Sequence, residues 1–337
     1  MRQVFLNHSF YEIKENESVL DGLLRQGVEH PHACRAGTCQ SCLCRLDNNL
    51  DENADKKLLN PAWQKGLKPS LAAKNYFLPC ISYLEEDQKI SIALADLDQS
   101  SVSVKILEKF KFNHNVLCLR LSLADLNQHT FDQYLPGQYI SLINPLGAIR
   151  SYSIANIPKI DAYLELHIKM VPDGLMSGFL EHQAEVGTRL NIRGPLGSCH
   201  YFNPTKQSYP IILIGTGTGL APLLGILKDA LLQQHSGLIY LIHGGVKQED
   251  LYLDFVLKNL MTQHKNFIYK ASVLDQLDHQ NHLAMDQLLE NAVKDLKKSN
   301  QDPKIYICGP AEMTQKLKIK AFLSGVPSGN IESDTFI

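Results

Sequence analysis

Cys34-Arg35-Ala36-Gly37-Thr38-Cys39-Gln40-Ser41-Cys42, with Cys80 following at a distance, spells C-x4-C-x2-C…C. This spacing holds a [2Fe-2S] cluster through four thiolates, so Cys34, Cys39, Cys42 and Cys80 are the expected metal ligands and an electron-carrying domain is expected around them. The loop is built almost wholly of small residues, which lets backbone N–H groups close on the sulfide ions and tune the potential. Zinc sites usually present two short cysteine pairs, whereas here three candidate ligands share one loop. A disulfide framework is weaker still, because the start, Met1-Arg2-Gln3-Val4-Phe5-Leu6, shows no secretory signal and a chain of 337 residues can build its core without staples. Cys44, Cys118, Cys199 and Cys308 fit neither pattern and read as small buried apolar residues.

Upstream of the loop, Ser18-Val19-Leu20-Asp21 has the form of a capping box. Leu20, Leu23 and Leu24 give the following helix one apolar face, and Gly27 ends it. Downstream, Asp96-Leu97-Asp98-Gln99-Ser100-Ser101 is short and polar, a linker between domains. Hydrophobic content of 44% supports two or three globular domains, and a net charge of -2 argues against a nucleic-acid partner. Thiol chemistry suits a reducing cytoplasm. Residues 210–227 carry no charge and approach the length of a membrane span, but Gly215, Gly217, Gly219 and Gly225 divide them into a strand, a turn and a helix, so no span is expected.

From Val102 to about Phe202 the apolar signal has period two. Val102, Val104 and Ile106 alternate, Leu117, Leu119 and Leu121 oppose Val116, Cys118 and Arg120, and Leu164, Leu166 and Ile168 repeat the pattern. Turn residues between these runs predict an antiparallel sheet or barrel. Beyond it, Ile211–Ile214, Leu238–Ile242, Phe267–Tyr269 and Ile305–Ile307 are continuous apolar strands. Each precedes a helix-length amphipathic stretch, the rhythm of a parallel sheet covered on both faces.

The first of those strands runs into Gly215-Thr216-Gly217-Thr218-Gly219-Leu220-Ala221-Pro222 and then a helix. Glycines let a backbone approach a pyrophosphate, and a helix N-terminus supplies free N–H groups, so a dinucleotide cradle is one reading and a plain tight turn the other. Cys308-Gly309-Pro310 ends a later strand of the same sheet, where ligands of open α/β sheets gather. In the second block, Arg150-Ser151-Tyr152-Ser153 offers a guanidinium for phosphate, a phenol for stacking and hydroxyls for hydrogen bonding. Gly174-Leu175-Met176-Ser177 opens a helix that makes a second anion site, and Gly194-Pro195-Leu196-Gly197 is a tight turn.

In their order, these motifs and the closing Ser333-Asp334-Thr335-Phe336 resemble the three-domain reductases of bacterial oxygenases, over essentially the whole chain. The resemblance implies an α+β ferredoxin-like β-grasp domain at 1–97, an antiparallel β-barrel flavin domain at 102–205 and an α/β parallel-sheet nucleotide-binding domain at 206–337. It implies [2Fe-2S], FAD and NAD(P)H as cofactors and a terminal oxygenase or hydroxylase as electron acceptor, in a cytoplasmic monomer. By position it gives Arg150 to the flavin pyrophosphate, Tyr152 to the isoalloxazine, Ser153 to the neighbourhood of N5, and Gly174 and Ser177 to phosphate, with Ser151 beside them. Thr216, Gly217, Thr218 and Gly219 fall to the nicotinamide dinucleotide, Cys308 and Gly309 to the place where hydride moves, and Phe336 to the flavin face.

The chain departs from that pattern at three places. Gln40 stands where many relatives have glycine, Val246 where arginine is frequent, and Glu332 and Asp334 where a single glutamate lies close to the last aromatic. The acids Glu249 and Asp250 behind Lys247 suit a ribose diol better than a 2′-phosphate, so NADH is expected over NADPH. Relatives of similar architecture reduce a deoxysugar-pathway intermediate or free flavin, and a redox-sensing iron-sulfur module is the non-enzymatic alternative.

Overall fold

Ser18 starts the first helix by local chemistry. Its Oγ accepts from the Asp21 N–H at 3.1 Å and donates to Asp21 Oδ2 at 2.7 Å, which satisfies an otherwise unpaired donor of the first turn. Helix α1 (Val19–Arg25) buries Val19, Leu20 and Leu23, and Gly27 leaves it at φ +81°. The computed structural model describes all residues except 31, 33, 34, 36, 38–41, 48–59, 65, 66, 68, 95–100, 124–133, 198, 203–207, 277–282, 298–301 and 337, and of 69, 70 and 94 only the backbone. The expected linker at 96–100 therefore lies outside the described residues. The chain divides into two compact units, Met1–Ser101 and Val102–Ile337.

In the first unit, β1 (Gln3–Leu6), β2 (Ser9–Glu12), β3 (Cys44–Leu46), β4 (Tyr76–Phe77) and β5 (Lys89–Leu94) form a mixed sheet in the order β2-β1-β5-β3-β4. β1 runs parallel to β5, and the other pairs are antiparallel. Val19 and Leu23 of α1 pack on Val4, Leu6, Phe77 and Ile92 of the sheet, with Trp63 completing the core. A helix held against a mixed sheet in this way is the β-grasp arrangement.

The second unit begins with β6 (Val102–Lys111), β7 (Val116–Ser122), β8 (Tyr139–Ile143), β9 (Ile149–Ser153), β10 (Tyr163–Lys169) and β11 (Arg189–Leu196), in the order β10-β7-β6-β11-β8-β9 with every neighbour antiparallel. A bridge between Ile154 and Leu166 joins the two ends, closing the sheet into a barrel. Period-two alternation sorts the faces. Leu117, Leu119, Leu121, Leu164, Leu166 and Ile168 fill the barrel, while Val116 packs outward on the core of the following sheet. Helix α2 (Leu175–His182) lays Met176, Phe179 and Leu180 onto the barrel core.

The rest alternates strand and helix: β12 (Ile211–Thr216), α3 (Leu220–Leu232), β13 (Ile239–Gly245), α4 (Asp254–Gln263), β14 (Phe267–Val273), α5 (Met285–Lys297), β15 (Lys304–Pro310), α6 (Ala311–Leu323) and β16 (Ile331–Phe336). The five strands are parallel in the order β14-β13-β12-β15-β16. One face is covered by α3 and α4 through Leu223, Leu227 and Leu257, the other by α5 and α6 through Leu289, Val293 and Leu317. The chain winds one way from β12 to β14 and then returns to β15, so the strand order reverses between β12 and β15. That reversal opens a crevice at the carboxyl ends of the two strands.

Candidate functional site

At that crevice the glycine turn is shaped by close packing. Gly217 has φ +51° with open space where a Cβ would stand, so the backbone itself faces the opening. Behind it Gly219 lies so close to β15 that a Cβ would fall 2.2 Å from the Cys308 carbonyl oxygen. The short turn Gly217–Gly219 runs on into α3, the Leu220 N–H donating back to the Gly217 carbonyl.

The turn forms one wall of a cavity of about 1040 Å³ whose other wall is the barrel. Arg150, Ser151, Tyr152 and Ser153 of β9 line it, as do Gly174 and Ser177 at the start of α2, Thr216, Gly217 and Thr218 of the turn, and Phe336 of β16. Sequence positions nearly two hundred residues apart thus share one space. Arg150 is exposed, its Nη1 donates to the Ile149 carbonyl at 2.7 Å, and it makes no ion pair among the described residues. Burial pushes the Tyr152 phenol up, which keeps it protonated at neutral pH. Ser177 Oγ is held by the backbone of Val171, 3.1 Å from its carbonyl. A Cβ on Gly174 would strike that oxygen at 2.4 Å, so the helix entry has no room for a side chain.

Cys308 follows the buried-residue reading rather than the place beside the hydride path that the resemblance implies for it. It is fully buried in the core of the parallel sheet, its Sγ 3.7 Å from Cys199 Sγ, and it is not among the residues lining the cavity. Alternation along β15 explains this, since the Cys308 side chain follows Tyr306 into the α3 side of the sheet while Ile305 and Ile307 take the other. What Cys308 gives the site is its carbonyl, packed behind Gly219. Gly309, at φ +147°, carries the chain out of the strand to Pro310, which does line the cavity. The two C-terminal carboxylates also separate from the cavity: Glu332 pairs with Lys304 Nζ at 3.0 Å, and Asp334 lies opposite Cys308 in the sheet. The carboxylates that do line the cavity among the described residues are Asp250, Asp286 and Glu312, the last at the start of α6. Glu312 and Met313 follow Cys308-Gly309-Pro310 after Ala311, and a position just past the end of a central strand is the signal that finds them. His167 and Lys169 of β10 and Asn113 and Asn115 of the β6–β7 turn also line the cavity with no motif to announce them.

Where Lys247 was expected to meet the coenzyme, its backbone N–H donates to Asp250 Oδ2 at 2.9 Å and its Nζ stands 4.0 Å from Glu249 Oε1. Asp250 lines the cavity.

In the first unit, Cys42 and Cys80 are buried and share one apolar cluster with Leu20 and Leu78. Cys34, Cys39 and Gln40 lie outside the described residues. Between them, Arg35 and Gly37 have positive φ, and a Cβ on Gly37 would meet Ile81, the neighbour of Cys80, at 2.9 Å. Gly37 thus lies beside the residue that follows Cys80. His30 Nε2 lies 2.9 Å from the Cys42 carbonyl and anchors the loop from behind.

A closed antiparallel barrel that shares a cavity with the switch point of a parallel sheet defines the ferredoxin-reductase-like class of flavoproteins. The chain carries a 2Fe-2S iron-sulfur cluster binding domain at residues 5–85, an oxidoreductase FAD-binding domain at 103–201 and an oxidoreductase NAD-binding domain at 213–318. It is 27% identical over 332 residues to the toluate 1,2-dioxygenase electron transfer component of Pseudomonas putida, covering 97% of this chain and 94% of that one. It is 29% identical over 319 residues to the reductase subunit of an aromatic O-demethylase from Amycolatopsis, covering 92% and 91%. A solved cytochrome P450 reductase from Amycolatopsis superposes with a TM-score of 0.65 at 26% identity over 100% of this chain and 99% of that one. The ferredoxin reductase of carbazole 1,9a-dioxygenase has the same fold, with a TM-score of 0.63 at 22% identity over 100% and 98%. The chain joins these three domains as the oxygenase electron-transfer components it matches do, and it is an NAD(P)H-dependent iron-sulfur flavoprotein oxidoreductase using [2Fe-2S], FAD and NAD(P)H.

The described residues fit those groups. The free guanidinium of Arg150, the side-chain-free entry of α2 and a cavity of about 1040 Å³ suit a dinucleotide flavin. The buried thiols of Cys42 and Cys80 beside a tight positive-φ loop suit an iron-sulfur cluster. Among the described residues no helix is long and apolar enough to cross a membrane.

Proposed function

We propose that this reductase passes electrons from NADH through FAD and the cluster to a terminal oxygenase or hydroxylase, in the cytoplasm and as a monomer. The observation that carries the reading is the single cavity lined by both Arg150–Ser153 of the barrel and Gly217 of the parallel sheet, which lets two dinucleotides meet. Bound there, FAD supplies a two-electron acceptor for hydride and a one-electron donor to the cluster.

The chain's own residues bind and orient. Arg150 pairs with the flavin pyrophosphate and Gly174 leaves its phosphate room at the α2 entry, where Ser177 braces the turn. Ser151 and Ser153 would present hydroxyls to the flavin, Ser153 near N5, while Tyr152 would lie against the isoalloxazine and Phe336 would cover the flavin face. Thr216, Gly217, Thr218 and Gly219 hold the nicotinamide dinucleotide, backed by Cys308 and Gly309. Cys34, Cys39, Cys42 and Cys80 hold the cluster, whose edge from Arg35 to Ser41 meets the partner. The domains run 1–97, 102–205 and 206–337. The partner assignment is supported by the relatives, which are electron-transfer components of oxygenase systems. NADH is favoured because Glu249 and Asp250 stand beside Lys247, Glu249 4.0 Å from its Nζ and Asp250 on its backbone N–H, leaving acids where a 2′-phosphate would want cations.

Anaerobic addition of NADH to the purified holoprotein tests the reading, with bleaching of both the flavin and the iron-sulfur absorbance expected. Bleaching of the flavin alone would break the proposed path. Comparing kcat/KM for the two coenzymes tests the preference, and an advantage of about tenfold for NADPH would overturn it.

A further inference from the structure

Tyr252 is one of the side chains that join the barrel to the parallel sheet, together with Lys228 on the Ala155 carbonyl and Asn113 on the Glu249 carbonyl. Tyr252 follows β13, and its neighbour Leu253 sits at φ +63°, a backbone state that a branched residue adopts only where its surroundings enforce it. The Tyr252 ring is buried, stacked on Phe112 of the barrel at 5.5 Å and edge-on to His167 of β10 at 5.4 Å. Its hydroxyl lies 3.0 Å from His167 Nδ1.

The contact continues as a chain. His167 Nε2 is 3.4 Å from Glu165 Oε1, Arg120 Nε donates to Glu165 Oε2 at 2.8 Å, and Lys228 of α3 stands 3.8 Å from Oε1. Burial would raise the Glu165 carboxyl, but the His167 hydrogen bond and the Lys228 and Arg120 charges outweigh it and hold it at about 2. Burial lowers His167, which is therefore neutral. An ionised Glu165 fixes the tautomer: Nε2–H donates to the carboxylate, and Nδ1 is left to accept the Tyr252 O–H. Cys118, Glu165 and His167 also offer three donor atoms within 4.8 Å. Arg120 and Lys228 already supply the positive charge a metal ion would bring, so the cluster reads as an anchor rather than a metal site.

The anchor's place gives it a task. His167 lines the cavity, and β10 packs directly against the turn Gly217–Gly219. We propose that Glu165, His167 and Tyr252 are positioning residues that fix the glycine turn over the flavin barrel and so set the approach of the nicotinamide to the flavin. This rests on the cavity being the site where the two dinucleotides meet.

The experiment uses the full chain loaded with FAD and cluster. Tyr252→Phe keeps the ring stack and removes only the hydroxyl, His167→Leu removes the chain's centre, and His167→Gln keeps an amide that donates to Glu165 and accepts from Tyr252. Hydrogen exchange of backbone amides is measured with the rate of flavin bleaching at saturating NADH. Tyr252→Phe and His167→Leu are expected to speed exchange at residues 217–220 and to slow bleaching about tenfold or more, with flavin content and barrel exchange unchanged and with His167→Gln close to the parent. Exchange altered only at residues 250–254 in Tyr252→Phe, with bleaching within about twofold of the parent, would overturn the proposal. Should His167→Leu fail to fold, Tyr252→Phe decides alone. A parental protein whose flavin NADH does not bleach would sink the functional reading instead, and the exchange measurement would still judge the anchor.

Discussion

His243 shows what a single buried group imposes. It is 1% exposed on β13, and neither ring nitrogen has a hydrogen-bond partner among the described residues. Burial depresses its pKa from 6.5 to about 4. The unfolded chain therefore takes a proton that the folded chain refuses, and stability is full above pH 6.5 and declines as the pH falls toward 4, by roughly 3 kcal/mol at the lower end. His243→Leu is expected to be no less stable than the parent at pH 7 and to lose this acid sensitivity. Thermal melts from pH 7 to 4 check it, and parallel curves for the two proteins would refute it. Arg150 acts through charge. Arg150→Ala removes a charge-assisted bond worth roughly 1.5 to 3 kcal/mol and is expected to weaken flavin retention by about ten- to a hundredfold, read from FAD content after dilution and gel filtration. Arg150 was legible because it stands in a motif. His167 was not, because a lone histidine inside an alternating strand reads as a core residue until barrel closure and Tyr252 give it partners.

Among elements, the turn from β12 into α3 joins sequence to function most tightly. Its glycines were legible as a cradle or a turn, and packing shows why two of them differ. Gly217 needs a left-handed backbone, while Gly219 needs the absence of a side chain because the obstacle is the backbone of β15. Gly219→Ala cannot be relieved by a side-chain rotation and is expected to cost about 3 kcal/mol and to weaken NADH binding while leaving FAD content intact. Denaturant melts and coenzyme titration measure both, and parental values in both would refute the packing argument. The four apolar strands of the parallel sheet and the alternating strands of the barrel were readable from their periods. β16 was not, since Ile331-Glu332-Ser333-Asp334-Thr335-Phe336 is too polar to announce a strand. It becomes one by pairing along the edge of β15, where an outer strand is only half covered.

Across the whole molecule, the domain order and the cofactors were legible because each domain carries a motif whose chemistry demands particular residues at particular spacings. That Glu312 rather than Glu332 or Asp334 lines the cavity was not, because it depends on what α6 brings back to the strand end. In the proposed path electrons travel from NADH to the flavin and only then to the cluster. Cys39→Ser removes a cluster ligand while leaving the barrel and the parallel sheet untouched, so the two halves of the path can be read separately by acceptor. Ferricyanide can draw on the flavin directly, whereas cytochrome c draws on the cluster. The most direct measurement is the pair of NADH-dependent rates with these two acceptors in the parent and in Cys39→Ser, beside iron content. The variant is expected to lose iron and nearly all cytochrome c reduction while keeping most ferricyanide reduction, and cytochrome c reduction at the parental rate in iron-free protein would overturn the proposed path.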